Sequence, residues 1–224
     1  MDIQQFFASP FSIFLLVACV FGVMAYYSWY LEKKRREAMA AAAAQVGFTY
    51  EPASGGVPGD TFGSFHLFNQ GHSRSYSNVL RGPLSAEAQA LLFDYTYVTG
   101  SGKNRSTHRQ SVAALYDSRA HFPGFELRPE HMFHKLGSLF GYQDLDFDFN
   151  PKFSGEYLLR GQDEAAIRNL FGPSVLSYFE NNPGWCVEGG GDCLAVYRSG
   201  KRIEPEEVPS HLDRLRTLFF VFPR

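Results

Sequence analysis

Phe11-Ser-Ile-Phe-Leu-Leu-Val-Ala-Cys-Val-Phe-Gly-Val-Met-Ala-Tyr-Tyr-Ser-Trp-Tyr-Leu31 is a run of 21 residues without a charge, and Glu32-Lys-Lys-Arg-Arg36 stands directly behind it. At a rise of about 1.5 Å per residue the run makes a helix roughly 31 Å long, which matches the ~30 Å hydrocarbon core of a bilayer. Lipid offers no partner to backbone N–H and C=O groups, so a lone apolar segment of this length must close its own hydrogen bonds as a helix. Ser9 followed by Pro10 is a start signal: the serine oxygen caps free N–H groups and proline suits the first helical position. The sequence predicts a transmembrane helix over residues 10–31, with residues 1–9 as a short tail.

The flanks predict its direction. Tyr26, Tyr27, Trp29 and Tyr30 crowd the far end of the run, where rings with an apolar body and a polar tip favour the headgroup layer, and Lys33, Lys34, Arg35 and Arg36 follow. These eight are the expected membrane-interface residues. The ten residues before the run hold Asp2 and no lysine or arginine. The positive-inside bias then places the N-terminus outside and everything from residue 32 in the cytoplasm. A cleaved secretory signal is the competing reading, with Ala38-Met39-Ala40 as its site. Such a signal carries its positive charge ahead of a shorter apolar run, the reverse of what stands here. A buried core helix would show one apolar stripe, whereas this run is apolar all round.

Residues 32–46 are expected to continue the helix as a juxtamembrane spacer. Glu32 faces Arg36 and Lys33 faces Glu37 at i, i+4, the run Ala40–Ala44 has the highest helix propensity available, and Gly47 supplies a stop. Fourteen helical residues would hold a domain about 20 Å off the bilayer.

The remaining residues, 47–224, suffice for one domain with a substantial core. Lys plus Arg number 21 against 23 acids. A nucleic-acid binder normally shows a clear basic excess, so none is expected as a partner. Three cysteines do not make a disulfide scaffold, and Cys19 lies in the apolar run. Cys186 and Cys193 flank Val-Glu-Gly-Gly-Gly-Asp, a hairpin turning on glycine. A two-residue turn at Gly189-Gly190 would bring the thiols opposite each other; a three-residue turn through Gly191 would not. In a reducing compartment the expectation is two reduced, structural thiols.

The pattern beyond residue 46 predicts an α+β domain, mainly antiparallel sheet with helices packed on one face. Phe48 and Tyr50, then Phe62, Phe65 and Leu67, read as short strands among glycines and Pro58. Tyr76–Leu80 and Leu91–Val98 read as strands, and Gly100–Asn104 turns the latter onto Thr107–Tyr116. Glu130–Phe140 has helical spacing, Asp144–Asn150 alternates as a strand, and Tyr157–Leu159 is another strand. Asp163 caps a helix that breaks at Gly172-Pro173, Val175–Phe179 begins the next, and Glu206–Leu218 is a last amphipathic helix. The closing Leu218–Phe222 is too short to cross a membrane and is expected to plug the core or add an edge strand.

Candidate sites are few. Gly100-Ser-Gly-Lys-Asn-Arg-Ser-Thr-His-Arg109 is the most basic stretch of the domain. It fails as a phosphate loop, because Tyr97 stands where the first glycine belongs and Asn104 where Ser or Thr belongs. It remains a polar tip whose Lys103, Arg105, His108 and Arg109 are the candidate anion- or lipid-binding residues, each cation being worth ~1 kcal/mol near an anionic surface. Asp144, Asp146 and Asp148 would share one strand face. Phe149 and Gly155 replace the glycine and glutamate of a calcium loop, so the wet face of a strand explains them better. His131 and His134 stand at i, i+3 without an HExxH order or a third ligand. No metal and no cofactor is expected, and no nucleophile has a recognisable context.

Phe125-Glu-Leu-Arg-Pro-Glu130, Asp144-Leu-Asp-Phe147, Pro151-x-Phe-Ser154, Tyr157-x-Leu-Arg-Gly161 and Asp163-Glu164 together resemble a family of uncharacterised bacterial proteins built from one N-terminal membrane helix and a cytosolic domain of unknown function. The resemblance runs over residues 46–200 and implies placement in the bacterial inner membrane, without an activity, substrate or cofactor. The leading expectation is a membrane-anchored cytoplasmic binding or scaffold module that touches anionic headgroups, a protein partner or a membrane complex. The alternative is a membrane-tethered, hydrolase-like enzyme with dispersed active-site residues.

Overall fold

The computed structural model describes residues 10–53, 62–132 and 144–223. Helix α1 runs unbroken over Pro10–Gln45. From Phe11 to Leu31 every side chain but Ser12 is exposed, and among the described residues this is the helix long and apolar enough to cross a membrane. Its character changes after Glu32. Met39, Ala42 and Ala43 are buried in the main core, and the Arg35 side chain is only 9% exposed. These four positions recur at i, i+4, i+7 and i+8, which is one stripe of a helix. The segment expected to stand off as a spacer is therefore helical but packed: its alanines let the helix approach closely and join the domain's core. Gly47, at φ +73°, ends it, and the Phe48 N–H closes back onto the Ala43 carbonyl at 2.8 Å.

Among the described residues eight strands form one fully antiparallel sheet: β1 (Thr49–Ala53), β2 (His72–Pro83), β3 (Ala88–Thr99), β4 (Ser106–Asp117), β5 (Phe122–Pro129), β6 (Tyr157–Gly161), β7 (Cys186–Gly191) and β8 (Cys193–Tyr197). Their spatial order is β1-β2-β3-β4-β8-β7-β5-β6. Alternation along β3 separates two cores. Ala90 and Leu92 face the larger one, shared with the end of α1 and with α5 (Pro173–Asn181) and α6 (Val208–Val221). Leu91, Phe93, Tyr95 and Tyr97 face an aromatic core closed by Phe62, Phe65 and Phe68. The architecture is the expected α+β class, with the long helices on one face.

Phe62–Leu67 departs from the strand reading: it forms a turn and the four-residue helix α2 (His66–Asn69). Phe62 stacks on Phe68 at 4.5 Å between ring centroids, and Phe68 meets the edge of Tyr95 at 5.0 Å. The rings roof the sheet, and their spacing reflected that task. Asp144–Asn150 also forms no strand. Leu145 and Phe147 are buried while Asp146 and Asp148 are exposed, so the alternation is real. Beyond the Leu145 N–H on the Leu159 carbonyl at 2.8 Å, the chain leaves the sheet edge and turns at Asn150, which caps α3 (Pro151–Glu156). Of the helix expected over 130–140, Glu130–Met132 form one 3-10 turn, and Phe133 to Phe140, His134 included, lie outside the described residues. Asp163 caps α4 (Glu164–Leu170) by accepting from the Ala166 N–H at 2.9 Å. Phe222, 2% exposed, plugs the larger core between Phe122, Phe125, Phe171 and Phe179.

The cysteine hairpin turns at Gly191-Asp192, with Gly191 at φ +60° and Gly190 paired to Cys193. Cys186 lies opposite Tyr197, so the two thiols stand four residues apart along the ladder, about 13 Å. Both are free and buried, and burial pushes each up to about 12.

Candidate functional site

One carboxylate joins α1 to the domain. Asp94, at the middle of β3, receives the Arg35 Nε at 2.9 Å and Nη2 at 3.0 Å as a two-pronged pair. Arg35 Nη2 also donates to the Ile203 carbonyl at 2.7 Å. Asn78 Nδ2 of β2 donates to Asp94 at 2.9 Å and Ser111 Oγ of β4 at 2.5 Å, while Ser111 Oγ accepts from the Ile203 N–H. Asn78 takes φ +52°, a conformation asparagine tolerates, and its carbonyl accepts from Tyr50 of β1 at 2.9 Å. Four strands, the Ile203 segment and α1 thus meet at one buried charge. Arg35 was expected among the headgroup cations; it is turned inward instead, and Lys33, Lys34 and Arg36 remain exposed. Glu32 adds an outer contact to Arg202 at 2.9 Å. The sequence signal for this junction was the stripe Arg35-Met39-Ala42-Ala43, hidden in an alanine-rich run.

The junction also sets the direction of the basic hairpin. Arg35 lies level with Asp94, whereas the far end of α1 leads into Thr49, which pairs with Arg81, itself paired with Leu91. Residues of β3 beyond Asp94 therefore run back alongside the apolar part of α1. From Asp94 to Thr99 is about 17 Å of strand, equal to roughly eleven helical residues.

The four candidate anion-binding residues do not converge. Lys103 and Arg105 are exposed at the tip, and Arg109 is exposed on the α1 side, paired with Thr96. His108 sits on the opposite side, stacked on Tyr97 at 4.7 Å with a ring nitrogen 2.8 Å from Thr99 Oγ1. The structure makes His108 part of the sheet face and leaves three cations free to meet a surface.

A second polar centre, which sequence reasoning missed, lies at the other edge of the sheet. Arg160, Glu126 and Glu188 stand directly opposite one another on β6, β5 and β7. Arg160 donates to Glu126 Oε2 through Nε at 3.0 Å and Nη2 at 2.8 Å, and Arg128 Nη2 contacts Glu126 Oε1. Glu188 Oε1 accepts from Tyr197 Oη at 2.8 Å and from the Leu67 N–H at 3.0 Å. Burial and the neighbouring Glu126 raise the Glu188 carboxyl to about 7. A cavity of about 510 Å³ opens on this row, lined by Ser64, Phe65, Asn69, Gly124, Phe125 and Gln162 among others. The only hint in the sequence was charge at three sheet positions that spacing alone cannot bring together.

Asp144 accepts from the Leu159 N–H at 3.0 Å, and Arg168 donates to the Asp146 carbonyl at 2.7 Å. Among the described residues no three His, Cys, Asp or Glu side chains are placed to hold a metal ion.

No family model matches the chain, and no curated protein matches it in sequence. Among solved structures it is similar in fold to the crystal structure of the mycobacterial trehalose monomycolate transport factor A, TtfA, with a TM-score of 0.57 at 14% identity over 86% of this chain and 96% of that one.

Proposed function

We propose that this chain is a single-pass membrane protein whose cytoplasmic domain is a non-catalytic scaffold for a membrane transport assembly, held at a fixed angle on the bilayer by its own helix. The observation that carries this reading is the Arg35–Asp94 junction with Met39, Ala42 and Ala43 buried behind it. Only three residues separate Leu31 from Arg35, a rise of about 6 Å along the helix. A domain fixed so close to the apolar run presents one defined surface to a partner in the same membrane. A transport role is supported by likeness in fold to TtfA, a protein named as a transport factor.

In this reading Lys103, Arg105 and Arg109 rest on anionic headgroups of the inner leaflet and fix the tilt of the domain, each contributing ~1 kcal/mol. The test uses the full chain in nanodiscs, with Cys19→Ala and a fluorophore on Ser101→Cys. Headgroup-attached quenchers are expected to quench the label in anionic lipid and much less in zwitterionic lipid, in high salt, or after Lys103→Ala/Arg105→Ala/Arg109→Ala. Equal quenching under all four conditions, or none in any, sinks the lipid contact. Protection of residues 47–224 from protease added to intact spheroplasts is expected; digestion there refutes the cytoplasmic orientation.

A further inference from the structure

We propose that the cavity between α2 and strands β5–β7 binds a small soluble organic anion, its carboxylate or phosphate against Arg160 and its apolar body against Phe65. Two guanidiniums, Arg128 and Arg160, share the carboxylate of Glu126. The other carboxyl, Glu188, is 1% exposed and held near neutrality. Its Oε1 accepts from Tyr197 at 2.8 Å and from the Leu67 N–H at 3.0 Å, and its Oε2 accepts from the same N–H at 3.3 Å. With Glu188 protonated the cluster carries one positive charge in excess. Arg128 is 7% exposed, and its Nε has no hydrogen-bond partner among the described residues. Buried charge of this kind is stable only when compensated, and an anion at the open side supplies the compensation.

The shape agrees with the charge. A volume of about 510 Å³ suits a small ligand, and Phe65 of the aromatic core supplies its apolar wall. A Cβ placed on Gly124 meets nothing within 4 Å, so the backbone there borders open space. Lipid is the other source of a phosphate, but β5 lies four strands from β3, which carries Asp94, about 19 Å across the sheet. The site is thus distant from the membrane junction and independent of the scaffold reading.

Around Glu188 stand Tyr95 and Tyr97 from β3, Glu126 and Arg128 from β5, Arg160 from β6, Cys186 from β7, Tyr197 from β8, and His66 with the Leu67 N–H from α2. Among them Glu188 is the group that titrates near pH 7, and burial together with the Arg128 charge depresses His66. Anion binding and Glu188 protonation therefore favour each other.

Isothermal titration of the full chain in detergent with benzoate, an anion throughout the range used, tests this. Saturable one-to-one binding is expected at pH 6 and at least severalfold weaker binding at pH 8, where Glu188 has lost more of its proton. Glu188→Gln should bind equally at both pH values. Benzyl alcohol should bind at least tenfold more weakly than benzoate. Gly124→Leu, which grows into the cavity, and the charge-neutral pair Arg160→Gln/Glu126→Gln should each lose at least tenfold while keeping the far-UV spectrum of the parent. No saturable binding, equal affinity for the alcohol, or unchanged affinity in Gly124→Leu overturns the site. Loss of benzoate affinity in anionic but not zwitterionic nanodiscs overturns the soluble-ligand assignment in favour of a headgroup.

Discussion

Asp94→Asn isolates the worth of the junction between helix and domain. The substitution preserves size and leaves Asn78 and Ser111 in place, but it strips Arg35 of the carboxylate that it holds at 2.9 and 3.0 Å. Arg35 keeps the Ile203 carbonyl at 2.7 Å and an exposed Glu204 at 3.7 Å. Breaking a buried ion pair from one side costs about 3–5 kcal/mol, and those remaining partners place this case near the lower end, about 3 kcal/mol. At ~2–4 °C per kcal/mol for a domain of this size, Tm should fall by about 6–12 °C. Arg35→Met should cost a comparable amount, because it leaves Asp94 ionised and buried. Arg35→Met/Asp94→Asn removes both charges and should recover at least ~2 kcal/mol relative to the sum of the single changes. Thermal unfolding of the full chain in detergent, followed by near-ultraviolet circular dichroism, reads all three. Spin labels on Ser28 and Ser210 should show a narrow distance distribution in the parent and a broad one in Asp94→Asn. A loss below ~1 kcal/mol, or strict additivity in the double variant, refutes a junction held by this pair.

Phe222→Ala should destabilise by about 3–5 kcal/mol, since the ring is buried among four other aromatic rings, and urea unfolding will show it. Glu188, raised to about 7, contributes stability that is present at acid pH and lost as pH rises through 7, whereas His211, lowered to about 4 by burial and Arg214, contributes stability present above 6.5 and lost as pH falls through 4. Glu188→Gln should therefore leave a Tm that rises from pH 5 to pH 8, and His211→Gln one that falls; identical slopes in the two variants contradict both assignments. Cys186 and Cys193, buried and pushed up to about 12, should resist maleimide at pH 8 until urea unfolds the chain, and labelling at the rate of a free thiol would contradict their placement.

Periodicity carried most of this fold. The strands around Leu91–Val98 and Thr107–Tyr116 announce themselves by alternation, and Asp163 and Gly172-Pro173 mark helix ends by capping chemistry. What stayed hidden depends on contacts between distant residues. Asp144–Phe149 alternates like a strand, yet alternation reports only that an extended chain has a wet and a dry side, and no neighbour among the described residues pairs with it as a ladder. Arg35 sits in a run of four cations, where local reasoning assigns all four to headgroups. Its partner, Asp94, is 59 residues away. The row Arg160–Glu126–Glu188 is assembled from three strands, two of which come together through crossovers that no local pattern encodes.

Continuity between α1 and the core also decides what the smallest folded piece of the domain is. Composition divides the chain at residue 46, after the alanine run. Met39 and Ala43 are wholly buried, and Ala42 nearly so, while Arg35 closes the pair with Asp94. A fragment beginning at Phe48 lacks Met39, Ala42 and Ala43 from the larger core and leaves Asp94 without its counter-charge. Burying methionine contributes about 1.5–3 kcal/mol and the broken pair costs about 3 kcal/mol more, so the loss is about 5 kcal/mol. That equals the lower end of the ~5–15 kcal/mol by which domains are stable. A fragment beginning at Glu32 retains every one of these contacts and should unfold cooperatively in urea, with a midpoint well above that of the shorter piece. Equal midpoints would mean that the helix is merely attached to the domain, and the fixed presentation of one face to the membrane would lose its physical basis.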